Sequence, residues 1–160
     1  MTRRFGDRGT FGVEAGEIIS NAQRVVHLWL GDHLLTADDH TVYLPSFLHY
    51  LRLDVERVRR REIEPCPFPG RSPEQIFRLL KADQTGFRER FWFMQWDAAV
   101  DNVLMYAYLD VDLVIVFEFW RNTHPLPEDR HKAFVARVPP ADFVATTESA
   151  AALLDAEYVR

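Results

Sequence analysis

A chain of 160 residues that is 48% hydrophobic has the length of one domain and enough apolar mass for a core of its own. That excludes a disordered chain and removes any need for a metal or disulfide to fold. The formal net charge of −5 lacks the basic footprint of a nucleic-acid binder, although it suits a basic protein partner.

Apolar runs are broken by Asp110, Asp112 and Glu118, well short of the ~20 residues of a membrane helix. The opening MTRRFGDRGTFG lacks the apolar stretch of a secretory signal. The single cysteine, Cys66, excludes an internal disulfide and fits a reducing cytoplasm.

Residues 1–9 place Arg3, Arg4, Asp7 and Arg8 around two glycines, and a poorly ordered start is expected. A strand over 11–18 and a second over 24–30 follow. In the second, Val26, Leu28 and Leu30 share one face and Val25, His27 and Trp29 the other. The connection is too short for a helical crossover, so the pair is an antiparallel hairpin. A polar connection over 33–44 leads to Pro45, which suits a first helical turn. Leu44, Phe47, Leu48, Leu51, Val55 and Val58 then form one stripe of a helix over 45–61. Arg57, Arg59, Arg60 and Arg61 lie where the helix dipole favours cations.

The segment EPCPFPGRS is a rigid loop, and Ser72-Pro73-Glu74-Gln75 opens a second helix with a capping box. The stretch from Phe87 to Trp120 holds ten of the chain's 12 Phe, 5 Tyr and 4 Trp residues. That density predicts three strands, 87–96, 103–109 and 113–120, apolar on both faces and packed on both. A strand over 131–138 and a helix over 141–157 complete the chain. The pattern is α+β, a mostly antiparallel sheet of about six strands with about three helices packed on it, in a single domain over 1–160.

Several clusters invite chemistry. Asp32, His33, Asp38, Asp39, His40 and His49 lie close in sequence but lack the fixed spacing of a zinc motif. A polar loop with Asp38 or Asp39 in Asx-turns is the favoured reading. Glu118 shares a strand face with Val114, Val116 and Trp120, where a carboxylate pairs with a neighbouring-strand arginine, or is exposed at the strand end near Arg121, or else marks a pocket. His27 reads as a hydrogen-bonded structural residue and Cys66 as an incidental thiol. Ser46, Ser72 and Ser149 lack a nucleophile elbow, and Gly9, Gly12 and Gly16 lack a phosphate-binding setting. No pattern requires a cofactor or a metal.

Five segments carry a resemblance: FGVEAGEI, RVVHLWLGDHLL, YLPSFLHYL, VFEFWR and FVARVPPADFVATTESAAALL. Flanking most of 11–155, they are similar to the small bacterial immunity proteins of polymorphic toxin systems, nearest to the family numbered forty-two. The middle, 66–96, carries no part of the likeness. The resemblance implies a non-enzymatic protein that binds a cognate toxin domain in the producing cell and blocks it. It supplies no motif of binding residues, so the expected contact surface comes from charge. Asp32, Asp38 and Asp39 in one loop and Asp110 and Asp112 in another would steer a basic partner, with Glu118 beside them. Two other readings stand: a small enzyme using Glu118 or the His33–His40 region, and an oligomeric accessory protein of phage or plasmid origin. Oligomeric state is left open.

Overall fold

A computed structural model describes residues 2–158 and shows an α+β fold of eight strands and three α-helices among them. The strands divide between two antiparallel sheets. The first holds β1 (Arg3–Gly6), β2 (Phe11–Ile18), β3 (Gln23–Leu30), β4 (His33–Leu34) and β5 (Thr41–Tyr43). β2 and β3 form the expected hairpin, and β4 and β5 take successive parts of the far edge of β3. The second sheet is β6 (Val103–Asp110), β7 (Asp112–Phe119) and β8 (Ala133–Val138), with β7 in the middle. Helices α1 (Leu44–Arg59), α2 (Pro73–Ala82) and α3 (Pro140–Ala156) complete the fold.

Local sequence accounts for the helices. In α1, Leu44, Phe47, Leu48, Leu51, Val55 and Val58 are buried, as their spacing requires. The capping box of α2 forms in full: Gln75 N–H donates to Ser72 Oγ at 3.2 Å, and Ser72 N–H donates to Gln75 Oε1 at 3.0 Å.

The second sheet is covered on both sides. One face, with Met105, Ala107, Ile115, Phe117 and Phe119, joins the main core beneath β2, β3, α1 and α3. The other, with Tyr106, Tyr108, Val114 and Val116, packs on Ile76, Phe77 and Leu80 of α2 and on Phe91. Burying each of the α2 side chains is worth about 1.5–3 kcal/mol, enough to hold a ten-residue helix that would be marginal alone.

Three expectations are corrected. Residues 3–6, within the stretch expected to be poorly ordered, form strand β1, paired from Arg3↔Ala15 to Gly6↔Gly12. The polar connection after β3 supplies β4 and β5. The stretch 87–96 is no strand: Phe87–Phe91 is a 3₁₀ turn after Gly86 at φ 86°, and an irregular segment follows. There Arg88, Glu89 and Arg90 follow one another without a period of two, and Phe87 and Phe91 turn together toward α2. Met94, at φ 57°, stops any ladder beyond the single Trp92↔Tyr106 bridge.

Candidate functional site

An open groove of about 1360 Å³ lies between α1 and the 89–101 segment. One wall is a single face of α1: Ser46, Tyr50, Leu53, Asp54 and Arg57 recur at helical spacing. The other is the 89–101 segment with the start of β6, and Trp120 and Arg121 just past β7. Four large apolar side chains on the groove, Tyr50, Leu53, Trp92 and Trp120, are exposed. Isolated exposed apolar residues are ordinary, but two of these four are tryptophans on one concave surface.

Asp54 builds this wall. Its Oδ2 accepts from Met94 N–H and from Trp96 Nε1–H, both at 2.9 Å, and its Oδ1 accepts from Arg57 Nη1 at 3.1 Å. Burial pushes its carboxyl above the ordinary range, against the pull of those donors. The clasp holds Met94 at its positive φ and turns Trp96 into the core beside Phe11, Phe47 and Phe143. Asp97 works similarly: Oδ1 accepts from Tyr43 N–H and Oδ2 from Ala99 N–H, each at 3.1 Å. Asp54 sits three residues from Leu51 on the apolar stripe of α1, and a carboxylate there is the sign that sequence reading missed.

The two ends of the groove differ in charge. Trp120 Nε1–H donates to the Asp101 carbonyl at 2.8 Å. Arg121 lies over the Trp120 ring at 5.2 Å and donates to Asp38 Oδ2 at 3.2 Å. Asp97 and the exposed Asp101 thus line the groove with Trp120 and Arg121, and Asp38 stands behind Arg121. Toward Trp92 cations outnumber carboxylates: Arg57, which donates to the Trp92 carbonyl at 3.4 Å, Arg90 and Lys81 line it together with Asp54 and Glu89.

The residues expected to bind a partner are not brought together. Asp38 reaches the groove through Arg121. Beside it, Asp39 accepts from Thr41 N–H at 3.0 Å in an Asx-turn. Asp32 follows β3 at φ 68°, and its N–H donates to the Arg8 carbonyl at 2.8 Å. Asp110 and Asp112 flank Val111 on the β6–β7 hairpin, the length of β7 away, roughly 25 Å. Glu118 is 3% exposed and accepts from Lys81 Nζ at 2.7 and 3.0 Å. Its partner is therefore a lysine of α2 rather than a strand arginine, and burial takes Glu118 out of any contact surface.

The histidines are likewise dispersed. The His33 ring meets Phe117, Phe119 and Phe134 on one face of the second sheet, whereas Glu118 lies on the other. His40 meets His27 edge-on at 5.5 Å, and His49 meets Tyr50. Among the described residues, no group of three or more His, Cys, Asp or Glu is arranged to hold a metal. No helix among them is long and apolar enough to cross a membrane.

Compared with family models, curated proteins and solved structures, the chain matches none.

Proposed function

We propose that this chain is a non-enzymatic immunity protein, which binds a cognate toxin domain in the cytoplasm of the producing cell and blocks it. The observation that carries this reading is the groove, with Trp92, Trp120, Tyr50 and Leu53 exposed on one concave surface. Tryptophan and tyrosine supply most of the affinity at protein interfaces, because they bury large rigid area at low entropic cost. The carboxylates of Asp97 and Asp101 on the groove with Trp120, and of Asp38 behind Arg121, favour a toxin segment with a basic residue beside its apolar anchor. The acidic surface expected from sequence is thereby narrowed to Asp38 and Asp39, the part of it next to the groove.

The test pairs the full chain with the toxin domains encoded beside its gene, scoring growth rescue and co-purification. A W92A/W120A double variant should lose affinity by about 100-fold or more, since anchors of this kind are worth ~2 kcal/mol or more each. The reading fails if no neighbouring toxin domain is bound and none is neutralised. Light scattering decides the oligomeric alternative, because a second copy seated on the groove would make the free chain a dimer.

A further inference from the structure

The connection from β7 to β8 is polar and carries Pro125 and Pro127, yet it holds a wholly buried histidine. His124 is 0% exposed. Its ring lies flat on Phe119, with centroids 4.0 Å apart and planes 11° from parallel. Neither ring nitrogen meets a hydrogen-bond partner among the described residues. Buried imidazoles ordinarily give at least one nitrogen to a partner, so this one is spent as an apolar plug.

The backbone closes around it. His124 N–H donates to the Arg121 carbonyl at 3.2 Å, and Arg130 Nε donates to the His124 carbonyl at 2.8 Å. His131 N–H donates to the Phe119 carbonyl at 3.0 Å. Both ends of the loop are thus tied to the strand end on which the ring stacks.

We propose that His124 is a proton-operated latch: neutral, it seals the 121–131 loop onto Phe119; protonated, it leaves the stack and the loop opens. A charged imidazolium on an aromatic face, with no acceptor for either N–H, is far better solvated outside. Charged groups face it from each element packed nearby. Asp38 approaches from the β4–β5 loop, and Asp129, Glu128 and Arg130 from the loop itself. His33 of β4 stands beyond Phe119, its Nδ1 3.6 Å from Asp129 Oδ2.

Burial holds the His124 ring below its ordinary pKa, and Arg130 adds to this; the carboxylates of Asp129, Asp38 and Glu128 pull the other way without reversing it. The sign follows. A ring that binds its proton less readily closed than open stabilises the closed loop above about pH 6.5 and loses that contribution as pH falls.

The loop begins at Arg121, so opening changes the acidic end of the groove. That consequence, though not the latch, rests on the groove being the partner surface.

The test is hydrogen exchange of the 121–131 amides in the full chain from pH 7.5 to 5.0, corrected for intrinsic exchange rates. The opening constant should rise about tenfold per pH unit below about 6.5, until the closed loop itself takes up the proton. H124F, which keeps the stack without the proton, should be flat, and H33Q should keep the rise. A flat profile in the wild-type chain overturns the latch, as does an unchanged rise in H124F. Should H124F fail to fold, the His124 ring titration by NMR decides in its place. A midpoint below about 6.5 supports the latch, and one at or above it overturns it.

Discussion

The 92–97 segment and strand β7 both lie beside β6, and they satisfy their backbones in different ways. β7 has a ladder on each side, with eight registered pairs to β6 and six to β8. The 92–97 segment has one bridge to Tyr106 and otherwise relies on a few side-chain contacts: Asp54 on Met94 and Trp96, Arg57 on the Trp92 carbonyl, and Asp97 on Tyr43 and Ala99. Free energy spread over a ladder survives the loss of any one contact. Free energy gathered at a few side chains does not, and Asp54, which accepts two of these bonds, shapes the groove wall carrying Trp92. A surface built this way is well defined in geometry but opens locally at low cost.

The sharpest way to break this contrast is Asp54→Ala. It leaves Met94 N–H and Trp96 Nε1–H buried without an acceptor, at a cost of about 3 kcal/mol. Amide exchange should accelerate first in 92–97, ahead of global unfolding. Val116→Ala in β7 should instead lower protection evenly, because its ladder persists. Uniform exchange in both variants would refute the distinction. Lys81→Met is the next largest, about 2 kcal/mol by denaturant unfolding, because it takes the ammonium from a buried carboxylate and leaves only His131 Nδ1, 4.0 Å away, beside it. Lys81 is half exposed, so solvent limits the loss. A neutral Lys81→Met would show that this ion pair adds nothing to the hold of α2 on the second sheet.

How far these features are legible from the chain alone follows the same division. The stripe from Leu44 to Val58 and the Ser72–Gln75 box are set by neighbours within a few residues, and both form as their spacing predicts. The β2–β3 hairpin is equally local. The 87–96 stretch has a strand's composition, but its path is decided by a carboxylate some forty residues earlier and by Met94 at positive φ. β1 reads as a charged tail because its reward lies elsewhere. The buried Glu14 of β2 is held bidentately by Arg8 at 2.6 and 2.9 Å, with Arg4 at 3.8 Å. Trp92 and Trp120 read as sheet aromatics, since composition cannot say which rings stay outside a core.

Two buried carboxylates should separate by pH, an effect smaller than either substitution above. Hydrogen bonding from Arg8, with further help from its charge and those of Arg4 and His27, holds Glu14 below the ordinary range. Its contribution is therefore present above about pH 4.5 and lost as pH falls through its depressed pKa. Burial raises Asp54, so the folded state takes up that proton more readily than the unfolded chain, and acidification favours folding at this group. Melting temperatures from pH 7 to 3 should show the wild-type advantage over E14Q shrinking as pH falls. The advantage over D54N should grow. Parallel trends for the two variants would mean that Asp54 is not governed by its burial.

The smallest effect has the opposite sign and tests the ladder side of the comparison. Val111 joins β6 to β7 at φ 64° and is 96% exposed. A β-branched residue in the left-handed region costs about 1–2 kcal/mol, and here no packing offsets it. The registered pairs on either side hold the strain in place, just as Asp54 holds Met94. The difference is that Met94 is buried and cannot be replaced without leaving a cavity, whereas Val111 touches little. Val111→Gly should raise stability by about 0.5–1 kcal/mol, the relief exceeding the added chain entropy, and Tm by about 2–4 °C. Val111→Asn should do nearly as well, because Asn tolerates this conformation without glycine's freedom. Should both variants melt lower than the parent, the valine is contributing something its exposure does not reveal. An interface at the hairpin tip, between Asp110 and Asp112, would then replace the groove as the place to look for a partner.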